Sequence, residues 1–334
     1  GIVIGGLFYG GLFTAHFSFE TSVTHIFNDG LVGVLSDPAN IGILIFLVIL
    51  GIMVCMMNRA GGSSAFGEWA SKRIKTRTGA QLVSILLGAL IFIDDYFNCL
   101  TVGSVMRPVT DSHQISRAKL AYIIDATAAP ICIIAPISSW AAAVSGYTSG
   151  DGFQLFLNTI PFNLYALLTI VMVCYVIGSE FHFGKMKKHE LAAQNGDVCF
   201  GDDSYQTNEE ISYNQKGKVL DLILPVIVLI MSCIIGMIYT GGFFDGKDLI
   251  TAFSQCDASR GLVYGTFVTL VFVFILYIPR KIISYNEFVE CIPEGFKAMV
   301  PSILILVLAW SLGDLVSNQL QAGAFVYNTL QSAS

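Results

Sequence analysis

Asp94, Asp95 and Asn98 place two adjacent carboxylates and an amide in the run Ile91-Phe92-Ile93-Asp94-Asp95-Tyr96-Phe97-Asn98-Cys99, which is otherwise apolar. Oxygen donors of this kind hold hard cations or carry protons. At bilayer depth a carboxylate costs roughly 2.5–3.5 kcal/mol even on the lenient insertion scale, so a chain that keeps two side by side uses them. On a helix Asp94 and Asn98 share a face, whereas Asp94 and Asp95 diverge by about 100°. One site engages both carboxylates only where the chain is unwound, and an unwound tip is expected here. In such a site a proton and Na⁺ compete for the same oxygens, which is enough for exchange if access alternates between the two sides. The competing structural reading is that Asp and Asn simply cap the turn.

A second group lies in Asp125-Ala126-Thr127-Ala128-Ala129-Pro130 and Ala135-Pro136-Ile137-Ser138-Ser139-Trp140. Each proline removes the N–H that would bond four residues back, so Pro130 and Pro136 are expected to break the helix and free the carbonyls of Ala126 and Cys132. Asp125 and Thr127 are supporting ion ligands on this reading, and Ser138 and Ser139 are candidates for an organic co-substrate. Asp125 pairing with Arg107 or Arg117, and serines bonding back within their own helix, are the structural alternatives.

The elements that position these residues follow from hydropathy. With 54% hydrophobic and 13% charged residues and a mean hydropathy of +0.69, the chain is an all-α polytopic membrane protein. A net charge of −6 without a basic patch excludes nucleic acid as a partner. The cysteines form no CxxC pair, so no metal or disulfide framework is expected. Apolar segments fall at 1–17, 40–57, 79–106, 118–147, 153–179, 218–240, 261–279 and 298–317. Residues 1–179 read as a first membrane repeat, 180–217 as a solvated cytoplasmic linker, and 218–334 as the start of a second, incomplete repeat.

Basic residues orient the chain. Arg59, Lys72, Arg73, Lys75 and Arg77 precede the segment 79–106, and Arg107, Arg117 and Lys119 follow it, so both of its ends are cytoplasmic. It therefore enters and turns back as a re-entrant hairpin with the aspartates near its tip. The same assignment leaves Lys247 and Arg260 outside and sixteen of the eighteen basic residues inside. It also sends Ile43–Gly51 inward and the similar Ile303–Ser311 outward, the inverted relation of secondary transporters. The mirror of 79–147 would follow residue 334, and the chain begins with Gly1, so it reads as truncated at both ends.

The residues Phe92-Ile93-Asp94-Asp95-Tyr96-Phe97-Asn98, with the two proline stretches quoted above and Ala309-Trp310-Ser311-Leu312-Gly313-Asp314, resemble the NhaC-type Na⁺/H⁺ antiporter family. The resemblance implies the ion-transporter superfamily architecture: inverted repeats, paired hairpins and a homodimer with a moving transport domain. It implies a multi-pass protein of the cytoplasmic membrane that exchanges Na⁺ for H⁺, with Na⁺ at Asp94 and Asp95 and no cofactor. Similar members couple Na⁺ to small organic acids such as malate and lactate, or to amino acids, so that alternative stays open. Of another class, Leu312-Gly313-Asp314 faintly resembles the Gly-x-Gly-Asp signature of intramembrane aspartyl proteases, but Ser311 stands where that signature needs glycine.

Overall fold

The computed structural model describes residues 2–92, 94–136, 138, 140–141, 152–201, 217–316 and 320–333, and every regular element among them is helical. In chain order these are α1 (Ile2–Thr14), α2 (Phe19–Thr24), a π-helical segment (His25–Val32), α3 (Gly33–Ser36), α4 (Pro38–Arg59), α5 (Gly62–Arg73), α6 (Arg77–Leu90), α7 (Asp95–Ser112) and α8 (Arg117–Ile134). After them come α9 (Gly152–Thr159), α10 (Leu164–Ser179), α11 (Gly184–Gln194), α12 (Leu220–Thr240), α13 (Leu249–Ser254), α14 (Ala258–Tyr277), α15 (Tyr285–Asp314) and α16 (Ala322–Ala333). Among the described residues five stretches are long and apolar enough to cross a membrane: Pro38–Arg59, Leu164–Gln194, Leu220–Thr240, Ala258–Tyr277 and Tyr285–Asp314. The protein is thus an all-α polytopic membrane protein.

Two compact units divide the chain, Gly1–Ile45 with Lys297–Ser334, and Phe46–Phe296. In the first, α1 lies against the end of α15. A side chain at Gly10 would meet Leu315 Cδ2 at 2.3 Å, so glycine is what admits the leucine there.

The second unit carries the candidate site. Its long helices start and stop on local signals. Helix α4, whose part in this unit begins at Phe46, opens in the first unit at Pro38 with a preset φ, behind Asp37, whose carboxylate accepts the Ala39 N–H at 2.7 Å. The helix ends at Arg59, and Gly61 beyond it takes φ +77° and turns the chain into α5. That helix ends at Arg73, as an amphipathic surface helix should, yet Ser63, Phe66 and Ala70 are buried, and it packs on α7 and α12.

Helices α12 and α14 pack with their backbones in near contact. Gly261 and Gly265, four apart on α14, face Met237 and Cys233 of α12, and a Cβ at Gly265 would lie 2.5 Å from Cys233 Cα. Ser232 Oγ bridges the pair, 2.9 Å from Gly265 O and 2.7 Å from Thr269 Oγ1. Gly265→Ala is therefore expected to lower stability by about 1–3 kcal/mol, read as a fall in the thermal unfolding midpoint in detergent, because the overpacked methyl has backbone rather than a yielding side chain in its way.

Two expectations need correction. The segment 118–147 is not broken at Pro130: α8 runs through it to Ile134, and Ala135 N–H still reaches Ile131 O at 2.9 Å. Packing against α6, α7 and α10 holds the helix across the one missing bond, so the break falls at Ala135-Pro136. The stretch 180–217, read as solvated, is mostly exposed over its described residues but not throughout: α11 buries Glu190 and Ala193, and Glu190 is 1% exposed. Its hydrophilic composition conceals this because the partners that bury it come from far away in sequence.

Candidate ion-binding site

Helices α6 and α7 pack side by side as the two arms of a hairpin and rest on α8. Thr76 starts α6, its hydroxyl accepting Gly79 N–H at 3.0 Å. The arm stops at Leu90, and Ile91, Phe92 and Asp94 are non-helical before α7 opens at Asp95. Asp94, extended at φ −149° and ψ 136°, caps α7 by accepting Phe97 N–H at 3.0 Å. The unwound tip thus ends at Asp94, and Asp95 is the first helical residue. Both carboxylates sit at the positive end of the α7 dipole. Asp94 is 6% exposed, while Asp95 is half-buried and accepts the Trp140 indole N–H at 3.2 Å.

Asn98, fully buried, closes the break from the other side. Its Nδ2 donates to Gly88 O at 2.7 Å, a carbonyl that also accepts the Ile91 N–H at 3.2 Å, and to Ile91 O at 3.0 Å, beyond the end of α6. Those two acceptors fix which way round the amide stands, because only its nitrogen donates. Asn98 Oδ1 therefore points away from the turn, buried and with no donor among the described residues. Thr101 Oγ1, one turn further along α7, is in the same condition.

Thr127 of α8 completes the group. A Cβ built on Gly88 would lie 3.4 Å from both Asn98 Oδ1 and Thr127 Oγ1, so these two oxygens converge on the bare backbone of α6. Thr127 Oγ1 gives its proton to Ile123 O at 2.6 Å and turns its lone pairs elsewhere. Of the residues expected from sequence, Asn98 and Thr127 come together here. Thr101 was missed, although its i, i+3 spacing from Asn98 is a usable signal.

Asp125 is exposed, and two residues along a helix turn it about 200° from Thr127. No hydrogen bond or ion pair joins it to the cluster among the described residues. Arg117, one expected partner of Asp125, pairs instead with Asp111 at 3.1 Å. Ser138 caps the second break: its Oγ lies 2.7 Å from Cys132 O, the carbonyl that Pro136 frees, and accepts Ala141 N–H at 3.1 Å. Ser139 lies outside the described residues.

The opposite end of the hairpin is fixed by Glu190 of α11. Its Oε2 meets Arg77 Nη2 at 2.8 Å and lies 3.7 Å from both Lys119 Nζ and His182 Nε2, and its Oε1 accepts Ser116 N–H at 2.8 Å. One carboxylate so ties the first residues of α6 and α8 to α11, leaving the broken ends as the free ends of this packing.

Residues 120–333, which include Asp125, Thr127 and Ser138, match the Na⁺/H⁺ antiporter family. The chain belongs to that family. It is also 35% identical over 347 residues to an uncharacterized protein of Haemophilus influenzae, in an alignment that covers 98% of this chain and 64% of that protein. This antiporter-family chain therefore spans about 64% of the length of its relative. Family membership and the span-length helices agree in describing a multi-pass membrane protein.

Proposed function

We propose that the protein exchanges Na⁺ for H⁺ across the cytoplasmic membrane as an NhaC-type antiporter, acting as a homodimer, with the ion held at the hairpin break. The observation that carries this is Asn98 Oδ1: a buried acceptor, oriented by its own amide, with no donor among the described residues, converging with the Thr127 oxygen on Gly88 and one helical turn from Asp94. An unmet buried acceptor costs about 1–3 kcal/mol, a penalty that a partly dehydrated cation removes by coordinating it. Asp94 and Asp95 supply the charge that attracts Na⁺ and the oxygens that take a proton when it leaves. Asp125 assists from the exposed face of α8. Exchange follows if the loaded site opens to either side in turn.

An organic co-substrate at Ser138 and Ser139 is the second reading, but the Ser138 hydroxyl is already engaged with backbone on both its donor and acceptor sides. The deciding experiment reconstitutes the full-length protein in liposomes and follows internal pH after a Na⁺ gradient is imposed. Proton movement is expected with Na⁺, absent with K⁺, and indifferent to malate, lactate or amino acids. Flux that requires one of those compounds selects the second reading; no Na⁺-dependent flux overturns both.

Gly88→Ala tests the oxygen pair itself. Alanine favours the helix, and its methyl would sit at van der Waals distance from both Asn98 Oδ1 and Thr127 Oγ1. The expected result is a rise of about tenfold in the KM for Na⁺, equivalent to about 1.4 kcal/mol of lost binding, with unchanged thermal stability.

A further inference from the structure

Cys55 and Cys291 lie outside the ion site, on α4 and α15, and their sulfurs are 3.0 Å apart. The contact belongs to a regular antiparallel register within the second unit. At Gly295 a Cβ would meet Ile52 N at 2.3 Å and Gly51 C at 2.6 Å, so the two backbones touch there. One turn on along α4 and one turn back along α15, Cys55 meets Cys291; one further turn brings Arg59 Nη1 to Glu287 O at 3.4 Å. Arg59 also pins the crossing through Glu290 at 2.7 Å and Glu294 at 2.6 Å. A disulfide demands closely spaced Cβ atoms on facing backbones, and this register at a glycine crossing supplies them.

From this geometry we infer that Cys55 and Cys291 are a modification site: a dithiol that small-molecule disulfides oxidise, joining α4 to α15 covalently. The inference does not depend on the transport reading. Cys291 is completely buried whereas Cys55 is half-buried, so Cys55 is the sulfur an oxidant reaches. Its thiol proton has an acceptor at hand in the exposed Glu294 carboxylate, 3.2 Å away. The Cys55 thiolate attacks one sulfur of the oxidant, whose S–S bond breaks, and the first thiol leaves carrying the proton parked on Glu294. The Cys291 sulfur then attacks Cys55 Sγ, expelling the second thiol, which takes the Cys291 proton. Two protein thiols are oxidised by two electrons, and one small disulfide is reduced to two thiols. Arg59, Arg280 and Lys281 assign this end of α4 and α15 to the cytoplasm, so the pair rests as free thiols and closes under oxidative load.

The test treats the full-length protein in liposomes with excess oxidised glutathione, then denatures it and counts free thiols with a maleimide polymer. Two fewer labelled thiols are expected, both recovered with dithiothreitol, together with a Cys55–Cys291 peptide pair in unreduced digests. Cys55→Ser and Cys291→Ser should each abolish the linked pair, and Cys233→Ser should keep it. The proposal is overturned if the wild type keeps all its thiols under conditions that oxidise the denatured chain. Recovery of both cysteines as separate glutathione adducts, or loss of two labelled thiols in Cys55→Ser as well, overturns it equally.

Discussion

Exchanging Asp94 and Asp95 together for asparagine is expected to reduce Na⁺-driven proton flux in proteoliposomes by more than about 100-fold while leaving the folded protein intact, since each charge-assisted contact contributes about 1.5–3 kcal/mol. The substitution separates the two roles these residues have. As a cap, Asp94 needs only an oxygen that accepts Phe97 N–H, and asparagine caps a helix as well as aspartate does. As ion and proton carriers, the carboxylates need their charge, which the amides lack. If the pair merely ends the hairpin turn, the double variant transports like the wild type. Full Na⁺ dependence together with an unchanged unfolding midpoint would remove these side chains from the mechanism.

The second large effect is on folding. Glu190→Ala strips the carboxylate from a cluster in which Lys119 and Glu190 are each 1% exposed. It leaves a buried ammonium beside Arg77 and His182 and an orphaned N–H at Ser116. Breaking a buried pair from one side costs about 3–5 kcal/mol, so a marked fall in the unfolding midpoint and in the yield of folded protein is expected. Lys119→Met in the same chain should restore much of the loss, because the uncompensated charge then disappears. Glu290→Ala is the matched control: its carboxylate, 62% exposed, also faces an arginine, but an exposed pair is worth under about 1 kcal/mol. Equal losses in Glu190→Ala and Glu290→Ala would show that burial does not govern the cluster.

Helices, their apolar runs and the place of the hairpin break were legible in the sequence because each rests on neighbours a few residues apart. A run such as Ile43–Gly51 has no other way to satisfy its backbone in lipid than by forming a helix. Two aspartates and an asparagine in an apolar stretch are conspicuous wherever the chain carries them, since the cost of charge at that depth is a property of the residue itself. Pro136 likewise announced the break after Ile134, and Pro130 announced one that did not form.

What only the tertiary structure decided is which oxygens face each other. The orientation of Asn98 Oδ1 follows from where the Gly88 and Ile91 carbonyls stand, and its neighbour Thr127 arrives on a different helix across the bare Gly88 backbone. Periodicity puts Thr127 and Asp125 on opposite sides of α8, but it does not say which side meets Gly88, nor does it tell a solvated Glu190 from one buried against Arg77 and Lys119. Local pattern sets the element and its face, whereas burial and hydrogen-bond partnership belong to residues brought together from distant parts of the chain.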